Sequence, residues 1–441
     1  MLYIYTLEVT SRLEYTLDFI FSRVLQVRYE LTTDRASCEQ SHQPFINYSE
    51  EACGESFWIP SVSRLMHEVG HRTIEPTVGD WQSMPSLFAT AEGDVSFDLI
   101  SAVFYLITRY EEYDSPHIDK HGRFEYTASV AFQNNFLQRP LVDEWLMKLR
   151  ELLLLKFPCL EIGCGKYSAV STIDVDYIYR YRAKSKSQML LKTVSRLVKF
   201  DFSESWRILR VLLYLEKDPY HQFDYLDKLH QGIACKYILF MHFGPFGRYD
   251  RRTIYPLYAF YRYLRQQNHA HVIGLHPSYR ASFDQKVIAK EKRQLEKRLN
   301  YPLSYSRHHF LRIRVPETYQ MLDKIGFKRD FSMGYAAMYG FRASTCHSYP
   351  VYDIAHERVL KIRVHPTLFM DATMNFYLKL KPEEALKVGT ELVDSCRAVH
   401  GEFVMLWHNN SVNNLYEWKG WQPIFEQLLS YATQPLSVDK E

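Results

Sequence analysis

No two of the seven cysteines, Cys38, Cys53, Cys159, Cys164, Cys235, Cys346 and Cys396, form a C-x-x-C pair, and their number is odd. A disulfide framework and a zinc ribbon are therefore both excluded as organising devices. Long hydrophobic runs are missing too, and nothing approaches the roughly 20 apolar residues that a membrane-spanning helix needs. The opening MLYIYTLEVTSRLEYTLDFIF lacks a basic start, a clean apolar stretch and a small-residue cleavage site, and it carries Glu8, Arg12, Glu14 and Asp18. It does not read as a signal peptide, and a cytoplasmic location is the expectation. Excess charge is scarce as well: a formal net charge of +3 on 441 residues argues against nucleic acid as a partner. Basic runs such as Arg180 to Lys186 read as solvated helix faces. Internal repeats and low-complexity linkers are also lacking, so domains are expected to be fused directly rather than tethered.

What is present is a globular composition, 46% hydrophobic and 24% charged, with aromatics at 15%. The length suggests two or three domains. A strand-like LYIYTLEV opens the chain, and a helical pattern capped by Ser11 follows. Apolar residues at spacings of three and four predict a buried helix over 97–113 ending in Arg109, Glu111 and Glu112. A second helix is predicted over 140–157, opening at Pro140. Arg109, Glu111 and Glu112, with Asp119, His121, Gly122 and Arg123, read either as covering the mouth of the second domain or binding substrate, or as a polar helix end and loop packed against that domain with the charges paired. Close-set Gly163 and Gly165 mark a boundary between a smaller α/β N-terminal domain, residues 1–162, and a domain over 163–441. In the second domain, strand candidates at 168–176, 236–243, 271–276, 360–366 and 402–408 alternate with helices at 253–267, 284–299, 318–326 and 382–399. That alternation predicts a parallel α/β architecture, a barrel or a doubly wound sheet.

The strand ends carry the chemistry. The first closes on Asp174-Val175-Asp176, and residues two apart on a strand share a side, so the carboxylates repel unless a cation faces them. A metal, an arginine or a helix cap would serve. The next strands end in His242-Phe243-Gly244 and His276-Pro277-Ser278, and the last in Trp407-His408-Asn409-Asn410. Active sites of parallel α/β barrels lie at these C-terminal strand ends. Aspartates and histidines converging there suit a divalent metal with an activated water, or a metal-free acid/base pair. With a metal, Asp176 and His276 are ligands, Asp174 takes a proton from water and His408 protonates the leaving group. Two further dense stretches, 305–319 with Arg307, His308, His309, Arg312 and Arg314, and 326–345 with Asp330, Ser332, Tyr335 and Arg342, look like loops that orient a polar ligand.

The series STIDVD, GLHPSY, SRHHFLRIRVPETY, DFSMGYAAMYGFRA and LWHN resembles the polysaccharide deacetylase superfamily. FYLITRYEEY, DKHGRF and PLVDEW, between Phe104 and Trp145, resemble a bacterial branch of it with a separate N-terminal domain. The resemblance implies a deacetylase-type (β/α) barrel, distorted or seven-stranded. It also implies a hydrolase that removes an acetyl group from an N-acetylated sugar or polysaccharide precursor with a metal-activated water. Its partner would be carbohydrate and its cofactor zinc, or cobalt or nickel. By this resemblance Asp174 is the base, Asp176 and His276 are metal ligands, His408 is the general acid, and Arg307 or Arg314 orients the base. Tyr279, Arg280, Asp330, Tyr335, Arg342, Trp407 and Asn409 are the candidate substrate-binding residues. One departure stands out: Arg280 occupies the place of the second ligand histidine. His309, His308 or His242 is then the candidate third ligand, or Arg280 itself replaces the metal's charge. The alternative function is a carbohydrate-binding barrel that has lost its chemistry.

Overall fold

Aromatic and branched residues at the N-terminus form strand β1 (Leu2–Thr6), the centre of a parallel sheet with β2 (Tyr29–Thr32), β3 (Phe45–Ser49) and β4 (Phe57–Pro60) in the order β2-β1-β3-β4. The computed structural model describes residues 1–434 apart from 42, 183–185, 199, 201, 234, 245–246, 251–259, 263 and 265–271. The first helix begins at Ser11, but its cap is Thr10, whose hydroxyl accepts from Leu13 N at 3.2 Å. The Ser11 hydroxyl instead meets Tyr352 Oη at 2.6 Å. A hairpin of β5 (Val78–Trp81) and β6 (Met84–Leu87) follows, then helices at Leu99–Ile107 and Leu141–Lys156. Every residue of Leu99–Ile107 is buried, as its all-round apolar sequence requires.

The larger sheet contains β7 (Ser168–Val175), β8 (Lys236–His242), β9 (Val272–His276), β10 (Tyr305–Ser306), β11 (Arg329–Asp330), β12 (Tyr349–Asp353), β13 (Arg358–Val364), β14 (Phe369–Met370) and β15 (Glu402–His408). Its order is β12-β13-β11-β10-β9-β8-β7-β15-β14, and every neighbouring pair is parallel except β12 with β13. Four of the five expected strands match within two residues, and the fifth begins at Val272 because residue 271 lies outside the described residues. Most of the helix expected over 253–267 lies outside them too. Among the described residues the sheet is an open ladder rather than the closed barrel expected, and one segment links β13 to the β14 margin. Leaving β13, His365 N donates to Asp330 O and Thr367 N to Met333 O, both at 2.8 Å, and Leu368 N then donates to Val404 O at 3.1 Å before β14 pairs with β15. Among the described residues, no helix is long and apolar enough to cross a membrane.

The apolar core is continuous between the two halves of the chain, and buried ion pairs link them. Arg109, 1% exposed and in a left-handed turn, donates from Nε to Glu112 Oε1 (2.7 Å) and from Nη2 to Glu111 Oε1 (2.6 Å) and Tyr335 Oη (3.1 Å). Glu112 also accepts a fork from Arg342, at 2.9 and 2.5 Å. Burial opposes charge on Glu112, yet Arg342 and Arg109 outweigh it and hold its carboxyl below the ordinary range. The paired reading of Arg109, Glu111 and Glu112 is what the structure contains. Removing the Glu112 charge leaves two buried guanidinium groups facing each other. Glu112→Gln is therefore expected to lower the unfolding free energy by about 3–5 kcal/mol in urea titration, and a loss under 1 kcal/mol would show that the network is dispensable.

Candidate active site

Strands β9, β8, β7 and β15 end level with one another. Their register sets His242 beside His276 and Asp174 beside His408, and the strand alternation turns Asp174 and Asp176 to the same side. The repulsion between those carboxylates is answered twice, by Arg307 beneath Asp174 and by two histidines around Asp176.

Arg307 follows β10 and is wholly buried. Its Nη1 donates to Thr172 Oγ1 at 2.5 Å and Asp174 Oδ1 at 3.4 Å, its Nε to Phe331 O at 3.0 Å, and its Nη2 to Thr367 Oγ1 at 3.0 Å. Its guanidinium also lies 4.8 Å from the Phe240 ring centroid. Gly274 leaves room for that ring, since a Cβ there would stand 2.6 Å from Phe240. Burial lowers the pKa of Arg307, and Asp174, then Asp330, oppose that shift. Arg314 lies elsewhere, exposed and stacked on Phe283, and the structure does not bring it to Asp174.

Asp176, His276 and His309 each direct one ligand atom into a common space, all within 4.8 Å of one another. Asp176 Oδ1 is 3.3 Å from His276 Nε2 and 3.6 Å from His309 Nε2. Ligand atoms held tetrahedrally about 2.0–2.2 Å from a zinc ion stand about 3.3–3.6 Å apart. The other nitrogen of each ring is already committed: His276 Nδ1 donates to Arg307 O at 2.5 Å and His309 Nδ1 to Asp250 Oδ1 at 3.2 Å. Such outer bonds fix the tautomer that leaves Nε2 free to ligate. Among the described residues, Asp176 Oδ1 and His276 Nε2 are buried and have no hydrogen-bond partner, and a cation between them would satisfy both. The donor set therefore fits a divalent metal. Burial raises the Asp176 pKa, but His309 and His276 overcome it and hold the carboxyl well below its ordinary value. Against the same opposition from burial, Asp176 and Asp250 lift His309 to about 9.

His408 stands across from this cluster. Asp371, directly after β14, accepts from His408 Nδ1 at 2.7 Å with one oxygen and from its backbone N at 2.8 Å with the other. Burial disfavours the imidazolium, but Asp371 first, then Asp176 and Asp174, raise its pKa to about 10. His242 and His308 differ: burial takes both down to about 3, so they are neutral.

The structure places the expected substrate residues unevenly. Tyr279 is near the cluster, its hydroxyl 3.1 Å from His121 Nδ1 and its ring 4.4 Å from that of Tyr249. Arg280 is exposed, and only its backbone N approaches Asp250, at 3.5 Å. Asp330 is buried and bonded to Ser306 and Ser332. Tyr335 and Arg342 belong to the Glu112 network. Trp407 is buried against Phe369 and Phe425. Asn409 donates from Nδ2 to Tyr177 O and Tyr220 O, both at 2.7 Å. The N-terminal half also reaches this site through the turn Asp119–Arg123. Arg123 Nη1 donates to Phe310 O at 2.9 Å, and Arg312 Nε donates to His121 O at 2.6 Å. Asp250 and Asp371 were missed from sequence. Asp371 ends a strand, as the other site residues do, but β14 has only two residues; Asp250 lies in a loop with no periodicity to mark it.

A family model described as "Family of unknown function (DUF7033)" matches residues 2–158. No curated protein matches the chain. Among solved structures, a candidate polysaccharide deacetylase from Mycobacterium smegmatis is 14% identical with a TM-score of 0.38, over 62% of this chain and 85% of that one. The PuuE allantoinase is 11% identical with a TM-score of 0.35, over 61% and 84%. A mutant of BA3943, a CE4 family pseudoenzyme with restored enzymatic activity, is 12% identical with a TM-score of 0.28, over 60% and 62%. At such scores these likenesses say nothing about residues or chemistry in this chain.

Proposed function

We propose that the chain is a metal-dependent hydrolase that removes the acetyl group from an N-acetylated sugar. The observation that carries this reading is the convergence of three elements: the Asp176–His276–His309 ligand set, a carboxylate held by a buried arginine, and an imidazolium held by a buried aspartate. The carbohydrate substrate class comes from the motif resemblance. A divalent cation held by Asp176, His276 and His309 would polarise the acetyl carbonyl and lower the pKa of a neighbouring water.

The remaining work belongs to the chain's own side chains. Asp174 takes a proton as the water oxygen bonds to the acyl carbon, and Arg307, 3.4 Å from its Oδ1, keeps the carboxylate aimed. His408 then delivers a proton to the sugar nitrogen as the C–N bond breaks, so acetate and a free amine leave. Asp371 keeps His408 charged through its Nδ1. Arg280 in place of a ligand histidine favours the alternative, binding without turnover; His309 beside Asp176 and His276 supports the hydrolase reading instead.

Three measurements test the reading. Zinc titration of protein stripped with chelator is expected to give one tight equivalent, weakened at least 100-fold by His309→Ala and unchanged by Arg280→Ala. No zinc, cobalt or nickel binding would end the metal-dependent mechanism. Asp174→Asn is expected to retain zinc while hydrolysis of N-acetylated oligosaccharides falls about 10²–10⁴-fold; undiminished turnover would remove Asp174 from the base role. Asp371→Asn removes the charge that lifts His408, so the pKa near 10 must fall, and the imidazolium would be lost at lower pH. Imidazole 15N NMR titration reads this directly, and an unshifted His408 would overturn the pairing.

A further inference from the structure

The insertion between β7 and β8 carries a surface that neither the sheet nor the proposed chemistry uses. Helices Lys186–Val198 and Phe202–Leu212 pack on each other through Met189, Ile208 and Val211, together with Tyr181. Each then presents a second apolar stripe outward. Leu191, Val194 and Val198 follow spacings of three and four on the first helix, and Phe202, Trp206 and Leu209 do so on the second. These six are 41–80% exposed in company with Phe200, and Val198, Phe200 and Leu191 exceed 70%. Exposed large apolar side chains grouped on one pair of helices are a mark of an interaction surface. The charge is equally uneven. Residues 180–217 contain ten Lys and Arg against three Asp and Glu in a chain whose formal total is only +3; Arg207 and Arg210 pair with Glu216, and Lys217 with Asp224, so the lysines at 184, 186, 192 and 199 carry much of the excess.

We propose that this helical pair docks the protein on an anionic lipid bilayer. Outward Trp, Phe and Leu on amphipathic helices with abundant Lys and Arg are the composition of segments that lie in the lipid headgroup region. The charge complementarity selects an anionic surface over an apolar protein partner. The root of the pair is tied to the active site. Asp218 accepts backbone N–H bonds from Arg180 at 2.7 Å and Tyr181 at 2.9 Å, so the chain enters and leaves at one place. Asn409, next to His408, holds Tyr177 O before the insertion and Tyr220 O after it. The helices thus leave the sheet directly beyond Asp176, on the catalytic end. Docking there sets the active site at the bilayer, and an acetylated sugar carried on a membrane lipid becomes the substrate; this last step rests on the hydrolase reading.

Vesicle flotation of the full chain tests the docking without reference to activity. The expected result is flotation with phosphatidylcholine vesicles containing about 30% phosphatidylglycerol, loss of most binding in pure phosphatidylcholine, and weakening at high salt. Phe202→Glu/Trp206→Glu is expected to reduce flotation at least about tenfold with an unchanged melting temperature, because both side chains face outward. No flotation of the parent chain on anionic vesicles would overturn the proposal. So would a parent dimer in light scattering that the double variant converts to monomer, since a second copy would then occupy the face. Docking by a chain that binds no metal would leave the surface assigned and end only the hydrolase reading.

Discussion

The buried guanidinium of Arg307 is the contact on which the rest of the site depends. It joins four stretches distant in sequence: β7 through Thr172 and Asp174, the end of β11 through Phe331 O, the bridge before β14 through Thr367, and β9 through its own carbonyl, which takes the His276 Nδ1 proton. A cation in an apolar interior is tolerable only where its donors are met and its charge is opposed. Arg307 satisfies both demands with groups that are also functional. Its side chain neutralises one aspartate, while its backbone orients the imidazole that faces the other. Side chain and backbone of one residue thereby couple the Asp174 end of the site to the His276 end.

The same economy appears around the other charged groups. Asp250 accepts from His309 Nδ1 and from Tyr279 N at 2.8 Å, tying together the loops that follow β10 and β9. Asp371 grips His408 by side chain and backbone. Asp250 and Asp371 thus each hold a histidine that belongs to another part of the chain. In both cases the same bonds fix the chain path and favour the charged ring.

Much of this was legible from strand ends alone. Asp174, Asp176, His276 and His408 stand out in the sequence because titratable residues close several strand candidates at once, at the end where a parallel barrel carries its site. For the charges after the first long helix the sequence leaves two readings open, a cover on the second domain and a paired packing contact, and the structure pairs Arg109 with Glu111 and Glu112. The two-residue strands were not visible, since a period of two cannot be recognised in two residues, and Asp371 was hidden with them. Ligand geometry was hidden for a different reason. The resemblance placed the second ligand four residues after His276, at Arg280, and only folding shows that the turn after β10 brings His309 to Asp176 and His276.

That displacement has a structural cost that explains the N-terminal half's reach. The loop carrying His309 continues through Phe310 and Leu311 with φ of 64° and 50°, a left-handed pair that non-glycine residues hold only under outside restraint. The restraint comes from the turn Asp119–Arg123, where Asp119 accepts a fork from Arg123 at 2.8 and 2.6 Å, and Arg123 in turn fixes Phe310 O. Gly122, at φ +73°, gives the turn the backbone freedom it needs. A ligand drawn from this loop is thereby stabilised by the half of the chain that contributes none of the three ligands, so the second half alone would not be expected to hold His309 in place.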